Sequence, residues 1–326
     1  MLQSTTIPNF FTLVKNFIAK GKFRGEDAPV FPHQLEGKGL SIIRPTPFGN
    51  SFTLDIAKEA LVAEDLGKDN IADLLAVSLS STDYVGHQFG PNSIEAEDTY
   101  LRLDKDLESF LKYLDEKVGK GNYTFFLTAD HGAAHNPQFL KDKRFHAGTW
   151  NGKMVTEELN QIAESKYKVK GLIRSFTNYQ VCFDYDLIDK NNIDLAKLKD
   201  DCVYALEQMP QVSFVADMDK VQSVAIPSLL REKMINGYNK NRSGEIVVIL
   251  DPAFYQGTGK TGTTHGTWNP YDTRVPMLFM GWGIKSGQTS NRHVSICDIA
   301  PTIASLLHIQ EPNGTIGQPI DEVLEK

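Results

Sequence analysis

The chain has 326 residues, of which 41% are apolar and 23% charged, with a formal net charge of −7 at pH 7. That length suits one large α/β domain with an insertion, or two domains. The negative balance excludes a basic nucleic-acid footprint, and no run of 18 or more apolar residues marks a membrane span.

The first residues, Met1 to Pro8, have neither a basic nor a continuous apolar stretch, so no signal peptide is read there. Residues 9–20 have apolar groups at helical spacing, and 21–50 are rich in Gly and Pro and read as loop. A helix is expected over 53–66. Asp73–Ser80 reads as a short buried strand. The longest helix is expected over 93–118: Tyr100, Leu103, Leu107, Phe110, Leu111 and Leu114 share one face, and charged residues fill the other. Ser93 is placed to cap it, with Glu95 and Glu97 in the first turn where the helix dipole favours anions. Tyr123–Thr128 reads as a second apolar strand. Strand, long helix, strand is a βαβ unit and implies a mostly parallel sheet between two layers of helices, an αβα sandwich.

Residues 151–245 differ in texture. Helical patterns near 156–167, 192–208 and 226–237 alternate with β-like runs at 179–185 and 212–217, which reads as an inserted α+β subdomain. The core of 1–150 is then expected to resume at 246–326, with strands at 245–250 and 275–280 and a last helix at 298–308. Cys182, Cys202 and Cys297 show no metal-binding spacing and read as free thiols, with one disulfide after export as the alternative.

Three Asp/His clusters fall near the ends of apolar runs: Ser80–His87 with Asp83 and His87, Thr128–Gly132 with Asp130 and His131, and Thr263–Thr267 with His265. Open α/β sheets bind ligands just beyond the carboxyl ends of their strands, so the fold is expected to bring Asp83 and Asp130 together. Carboxylate and imidazole suit Zn²⁺, with Mn²⁺ or Fe²⁺ as alternatives. Asp83 and His87, four apart, reach one ion from a single turn. Asp130 and His131 are adjacent, and Gly132 relieves the crowding of so tight a turn. His135 reads as supporting rather than ligating, Thr82 and Thr264 as hydrogen-bond partners of ligands, and Trp268 and Tyr271 as packing for the third cluster's loop.

Ser81–Gly90, Leu127–Gly132 and His265–Pro276, with Asp298–Ala304, resemble the metal-binding motifs and closing helix of the alkaline phosphatase superfamily. The likeness is closest to the bacterial phosphate-irrepressible alkaline phosphatases, related to type I phosphodiesterases and nucleotide pyrophosphatases, and covers most of 40–150 and 245–326. It implies two zinc ions: Asp83, His87 and His265 on the first, Asp130 and His131 on the second. In such enzymes a Thr or Ser nucleophile forms a phospho-enzyme that water hydrolyses. The family's nucleophile and its remaining Asp ligand have no evident counterpart, and Thr6, in Thr6-Ile7-Pro8-Asn9, is only a faint match. The resemblance therefore implies part of a longer phosphomonoesterase, with little activity of its own. It also implies a small phosphate ester as substrate and a periplasmic or secreted location. Other members, a phosphodiesterase, sulfatase or mutase, are the nearest alternatives; a non-catalytic metal-binding domain is the other.

Overall fold

In a computed structural model, residues 20–257 and 259–325 are described. The expected helix over 9–20, apart from Lys20, and the candidate Thr6 lie outside them. Residues 20–47 are largely loop, with one 3-10 turn at Leu40–Ile43. Helices α1 (Phe48–Ala63), α2 (Ser81–Phe89) and α3 (Ile94–Leu114) follow, then strand β1 (Thr124–Thr128) and the short helix α4 (Pro137–Asp142). The next part comprises β2 (Gly148–Trp150), α5 (Gly152–Tyr167), β3 (Ile173–Thr177), β4 (Gln180–Phe183), α6 (Tyr185–Lys190), α7 (Leu195–Glu207), β5 (Val212–Asp217) and α8 (Ser228–Gly237). The chain then forms β6 (Ile246–Leu250), β7 (Phe254–Gln256), α9 (Pro270–Thr273), β8 (Met277–Gly281) and α10 (Ile299–Leu306).

The long helix forms where its apolar stripe predicts. Ser93 caps it: its hydroxyl accepts from Ala96 N at 3.2 Å and donates to the Gly90 carbonyl at 2.7 Å. The helix stays α to Leu114 and widens into one π turn over Asp115–Gly119. Phe110 and Leu114 bury against Leu54, Ala57 and Leu61 of α1, spaced three and four apart on one face. Because Ser93 is itself buried, Ser93→Ala should cost about 1–2 kcal/mol, read as a lowered urea midpoint with an unchanged slope.

The segment 73–80 corrects one expectation. Exposure alternates residue by residue from Leu74 to Ser80, but no strand pairs with it among the described residues. Leu75, Val77 and Leu79 pack on the α1/α3 cluster, while Leu74 between them is 73% exposed. A strand is held by ladder bonds to a neighbour as well as by its apolar face, and only the face is matched here. Of the βαβ reading, the helix and the second strand form and the first strand does not; β1 pairs antiparallel with β8, in register from Thr124↔Gly281 to Thr128↔Met277.

The second correction concerns residues 245–250. Strand β6 joins the sheet β3-β4-β6-β5, antiparallel to both β4 and β5, so it is built into the unit that precedes it. Its five residues are all buried. Ile246, Val248 and Leu250 face one core, with Leu159 of α5 and Leu198, Cys202 and Leu206 of α7; Val247 and Ile249 face another, with Met218 and Met234. Apolar side chains on both faces make the run continuous, so the pattern marks a strand without saying which sheet owns it. The short parallel pair β2–β7 leads from this unit back toward the third Asp/His cluster. The overall arrangement is mixed α/β with open sheets, consistent with an αβα sandwich.

The three cysteines are free; Cys202 is buried, and burial pushes its thiol up to about 12. Among the described residues no helix is long and apolar enough to cross a membrane.

Candidate metal centre

Helix α2 carries the first cluster. Val85 and Phe89 are buried on one face, which turns Asp83 and His87, one helical turn apart, to the half-exposed other face. The His87 Nε2 lies 3.3 Å from an Asp83 carboxylate oxygen. Its Nδ1 lies 2.9 Å from the Thr263 carbonyl. A carbonyl only accepts, so Nδ1 carries a proton, which leaves Nε2, facing Asp83, as the nitrogen placed to ligate.

The third cluster reaches the first across 176 positions. Loop 259–267 runs along the end of α2, with Thr263 N donating to the His87 carbonyl at 3.4 Å. Gly262 sits at φ +66, and a Cβ there would lie 1.9 Å from the His87 carbonyl oxygen. The loop is pinned from its other side by Asn136, fully buried, whose amide donates to the Gly262 carbonyl at 2.8 Å. The Thr263 hydroxyl donates to the Ala134 carbonyl, and Ala134 N donates to the Thr264 carbonyl at 3.1 Å. The result places His265 Nε2 3.9 Å from Asp83 Oδ1. Asp83, His87 and His265 each offer a ligand atom, all within 4.8 Å of one another.

The second cluster follows β1. His131 stacks on His265, with ring centroids 3.4 Å apart and planes 11° from parallel. Its Nδ1 lies 2.8 Å from the Gly132 carbonyl, which again leaves Nε2, 3.5 Å from Asp130 Oδ2, as the nitrogen placed to ligate. The Asp130 side chain is 87% exposed. Gly132 is required by contact rather than by its own turn: a Cβ would lie 2.0 Å from the Tyr271 carbonyl oxygen, and its N–H donates to the Asp272 carbonyl at 2.7 Å. The five residues singled out from the sequence therefore converge on one place, three of them as a tight donor set and two beside it.

The supporting residues were less legible. Thr82 accepts from the buried Asn50 amide at 2.9 Å. Thr264 contributes its backbone carbonyl rather than a contact to a ligand. Asp272 is buried, and its Oδ2 accepts from Thr267 N and Oγ1, both at 2.6 Å, closing the turn after His265. His135 is not in the donor set; its Nδ1 meets Asn92 Oδ1 at 2.8 Å, and burial holds its pKa below the ordinary value. Trp268 packs on the Val247/Ile249 core. Tyr271 OH accepts from Ala253 N at 3.2 Å. Only Asp272 carried a usable signal, an acid five residues after a Thr in a Pro-containing turn.

Electrostatics keep the His265 imidazole ready to donate its lone pair. Desolvation first, then the neighbouring His131, hold His265 below its ordinary value, against the pull of Asp83. The folded chain thus binds this proton less tightly than the unfolded chain. His265 contributes stability above the ordinary histidine value, near 6.5, and that contribution is lost as pH falls through the lowered folded value. The urea midpoint of the metal-free chain is expected to drop between pH 7 and pH 5, and His265→Gln should flatten part of that drop.

A family model described as type I phosphodiesterase / nucleotide pyrophosphatase matches residues 17–272. The chain is 48% identical over 312 residues to a protein of Myroides odoratus named calcium-transporting ATPase, covering 93% of this chain and 57% of that protein. It is 49% identical over 308 residues to alkaline phosphatase PhoV of Synechococcus elongatus, covering 93% and 55%. A crystal structure of wild-type alkaline phosphatase PafA superposes with a TM-score of 0.92 at 43% identity, covering 97% of this chain and 61% of that one. The chain thus spans little more than half the length of the curated relatives it matches. On the family match and these relatives together, the chain belongs to the type I phosphodiesterase / nucleotide pyrophosphatase family, within the alkaline phosphatase superfamily.

Proposed function

We propose that this chain supplies the metal-holding part of a phosphoric-ester hydrolase site, alkaline phosphatase-like in the whole protein. The observation that carries the reading is the donor set of Asp83, His87 and His265, gathered within 4.8 Å from two distant segments. Asp83, His87 and His265 would hold one zinc ion, and Asp130 and His131 would contribute to a second, with manganese the alternative. Three protein ligands of N and O type, with solvent access, match a catalytic rather than a closed structural zinc site. Bound there, zinc supplies Lewis-acid stabilisation of negative charge on phosphoryl and leaving-group oxygens.

The protein's own residues do the rest of the work assigned to this chain. The Thr263 carbonyl fixes the His87 ring and its tautomer, and outer partners of this kind orient ligands and raise their basicity. The His131–His265 stack holds the two clusters at a set spacing. The Asp83 carboxylate faces both imidazole Nε2 atoms, so its charge offsets part of a cation's. With a net charge of −7, an anionic ester is drawn in by local positive charge at the site, not by the protein's overall field.

The named relatives share one reaction type. Alkaline phosphatases and an ATPase both transfer a phosphoryl group to water, which favours a small phosphate ester as substrate. We also propose an exported, periplasmic or secreted location on the family likeness. We draw the inserted unit as 151–250, since β6 completes its sheet.

Inorganic phosphate, the product common to phosphatase reactions, gives a test that needs no nucleophile. The zinc-loaded chain is expected to bind phosphate in calorimetry and to lose that binding with a chelator. A monoesterase reading also expects p-nitrophenyl phosphate to compete better than bis(p-nitrophenyl) phosphate. Zinc uptake with no phosphate binding would instead support a non-catalytic metal-binding domain.

A further inference from the structure

The face of α2 opposite Asp83 and His87 rests on a strap, residues 20–43, irregular up to the 3-10 turn that ends it. Phe23 of the strap, Val85 and Phe89 of α2 and Ala96 of α3 form one buried cluster, with Leu35 and Ile42 packed on it. The strap comes close at the last turn of α2, beside His87. Gln88 Nε2 donates to the Lys22 carbonyl at 2.8 Å, and a Cβ on Gly21 would lie 2.0 Å from the Gln88 carbonyl oxygen. Loop 259–267 meets the same turn at Gly262, so two irregular segments grip it.

A buried cluster of charge holds the strap. Glu95, in the first turn of α3, has Oε1 2.6 Å from Lys20 Nζ and 2.9 Å from His33 Nε2. The Lys20 contact is an ion pair without hydrogen-bond geometry. The His33 Nδ1 lies 3.0 Å from both Glu26 oxygens, and Glu26 Oε2 also accepts from Phe23 N at 2.8 Å. The Lys20, Glu95 and His33 side chains are 0, 5 and 7% exposed. The His33 ring packs on Phe23 and Phe89, with centroids 4.6 and 4.9 Å apart. Lys20 and His33, at separate points of the strap, thus meet on one oxygen of α3.

Such a cluster is a poor source of stability. Glu95 Oε2 is buried with no hydrogen-bond partner among the described residues, and replacing buried ion pairs by apolar groups is often neutral or stabilising. Apolar contact is non-directional, whereas paired charges on fixed groups define one arrangement. Helix α2 has nine residues, too few to be stable alone, so its position is set by what it packs on.

We infer that Glu95, with Lys20, His33 and Glu26, is a positioning residue for α2: the charge cluster fixes the strap beneath the helix, and the strap fixes the rotation of α2 that turns His87 toward His265. In purpose this rests on the zinc reading of Asp83, His87 and His265; the positioning itself is measured without metal.

The His87 and His265 rings, with centroids 5.1 Å apart, supply the readout. In chelating buffer the chain should show a nuclear Overhauser contact between them. Lys20→Met, His33→Phe and Glu95→Met together replace the charges by apolar groups. The urea midpoint of that variant should be unchanged or higher. The ring contact should lose most of its intensity, and zinc affinity should fall by roughly 10-fold or more. Glu95→Gln, which keeps volume and helix, should weaken the same contact, and it carries the test if the triple variant does not fold. A folded variant whose ring contact matches the unsubstituted chain would overturn the inference. So would a loss of stability with the contact intact, which would make the cluster a structural support only. An unsubstituted chain that shows the contact but takes up no zinc would sink the zinc reading, while loss of the contact in the variants would still uphold the positioning role.

Discussion

His265→Ala is expected to lower zinc affinity by more than ~100-fold, measured by competition with a chromophoric chelator at pH 7.5. Removing an outer partner of a metal ligand typically costs ~10–100-fold, and His265 belongs to the donor set itself. It is also the only member of that set contributed by the loop; Asp83 and His87 share helix α2 and would be left as a two-ligand pair. The substitution should leave the fold in place, because His265 is about one-third exposed and the loop is held by Asn136, Thr263 and Asp272. An unchanged urea midpoint in the absence of metal, beside a lost zinc site, separates a ligand from a structural residue. The His131–His265 stack adds a second readout: zinc-induced shifts at the His131 ring should vanish in the variant.

Gly262→Ala is expected to damage the same site from outside the donor set. The position has φ +66, where an alanine costs roughly 1–2 kcal/mol, and the added methyl would sit 1.9 Å from the His87 carbonyl oxygen. That neighbour is helix backbone and cannot swing aside, so the loop has to move, at about 1–3 kcal/mol of overpacking cost. Together these predict a loss on the order of 2–4 kcal/mol in urea unfolding. Moving the loop also shifts the Thr263 carbonyl that fixes His87, so zinc affinity should fall as well. Gly266→Ala makes the comparison: its φ is +96, but nothing lies within 4 Å of the added carbon. It should show the conformational cost without the clash and leave His87 untouched.

The contrast between those glycines shows what a sequence conveys and what it withholds. Periodicity identified α3, because its one-sided stripe of apolar residues and its Ser93 cap are local properties. The Asp83/His87 spacing announced one face of a helix turn for the same reason. The five Asp and His residues of the candidate site were legible as a group, since carboxylates and imidazoles clustered after apolar runs stand out in the sequence. What holds them was not legible. Gly262, Asn136 and the Thr263 carbonyl act through contacts more than 100 residues away in the chain, and Gly132 is required only because the Tyr271 backbone passes behind it.

Strand ownership was hidden for a different physical reason. Asp73–Ser80 and Ile246–Leu250 look alike as short apolar runs, yet one is half-exposed with no strand partner among the described residues and the other lies buried inside a four-stranded sheet. Ladder partners are chosen by tertiary contacts, and an apolar run records only that both faces expect cover. The short elements α4, α6, β2 and β3 were passed over because three to six residues carry too little periodicity to stand out.

Anomalous diffraction at the zinc edge, from crystals of this chain grown with zinc, tests the central claim most directly. A strong peak bonded to Asp83, His87 Nε2 and His265 Nε2 is expected, with loss of that peak in His265→Ala. Zinc bound elsewhere, with those three side chains left hydrogen-bonded only to protein and water, would contradict it.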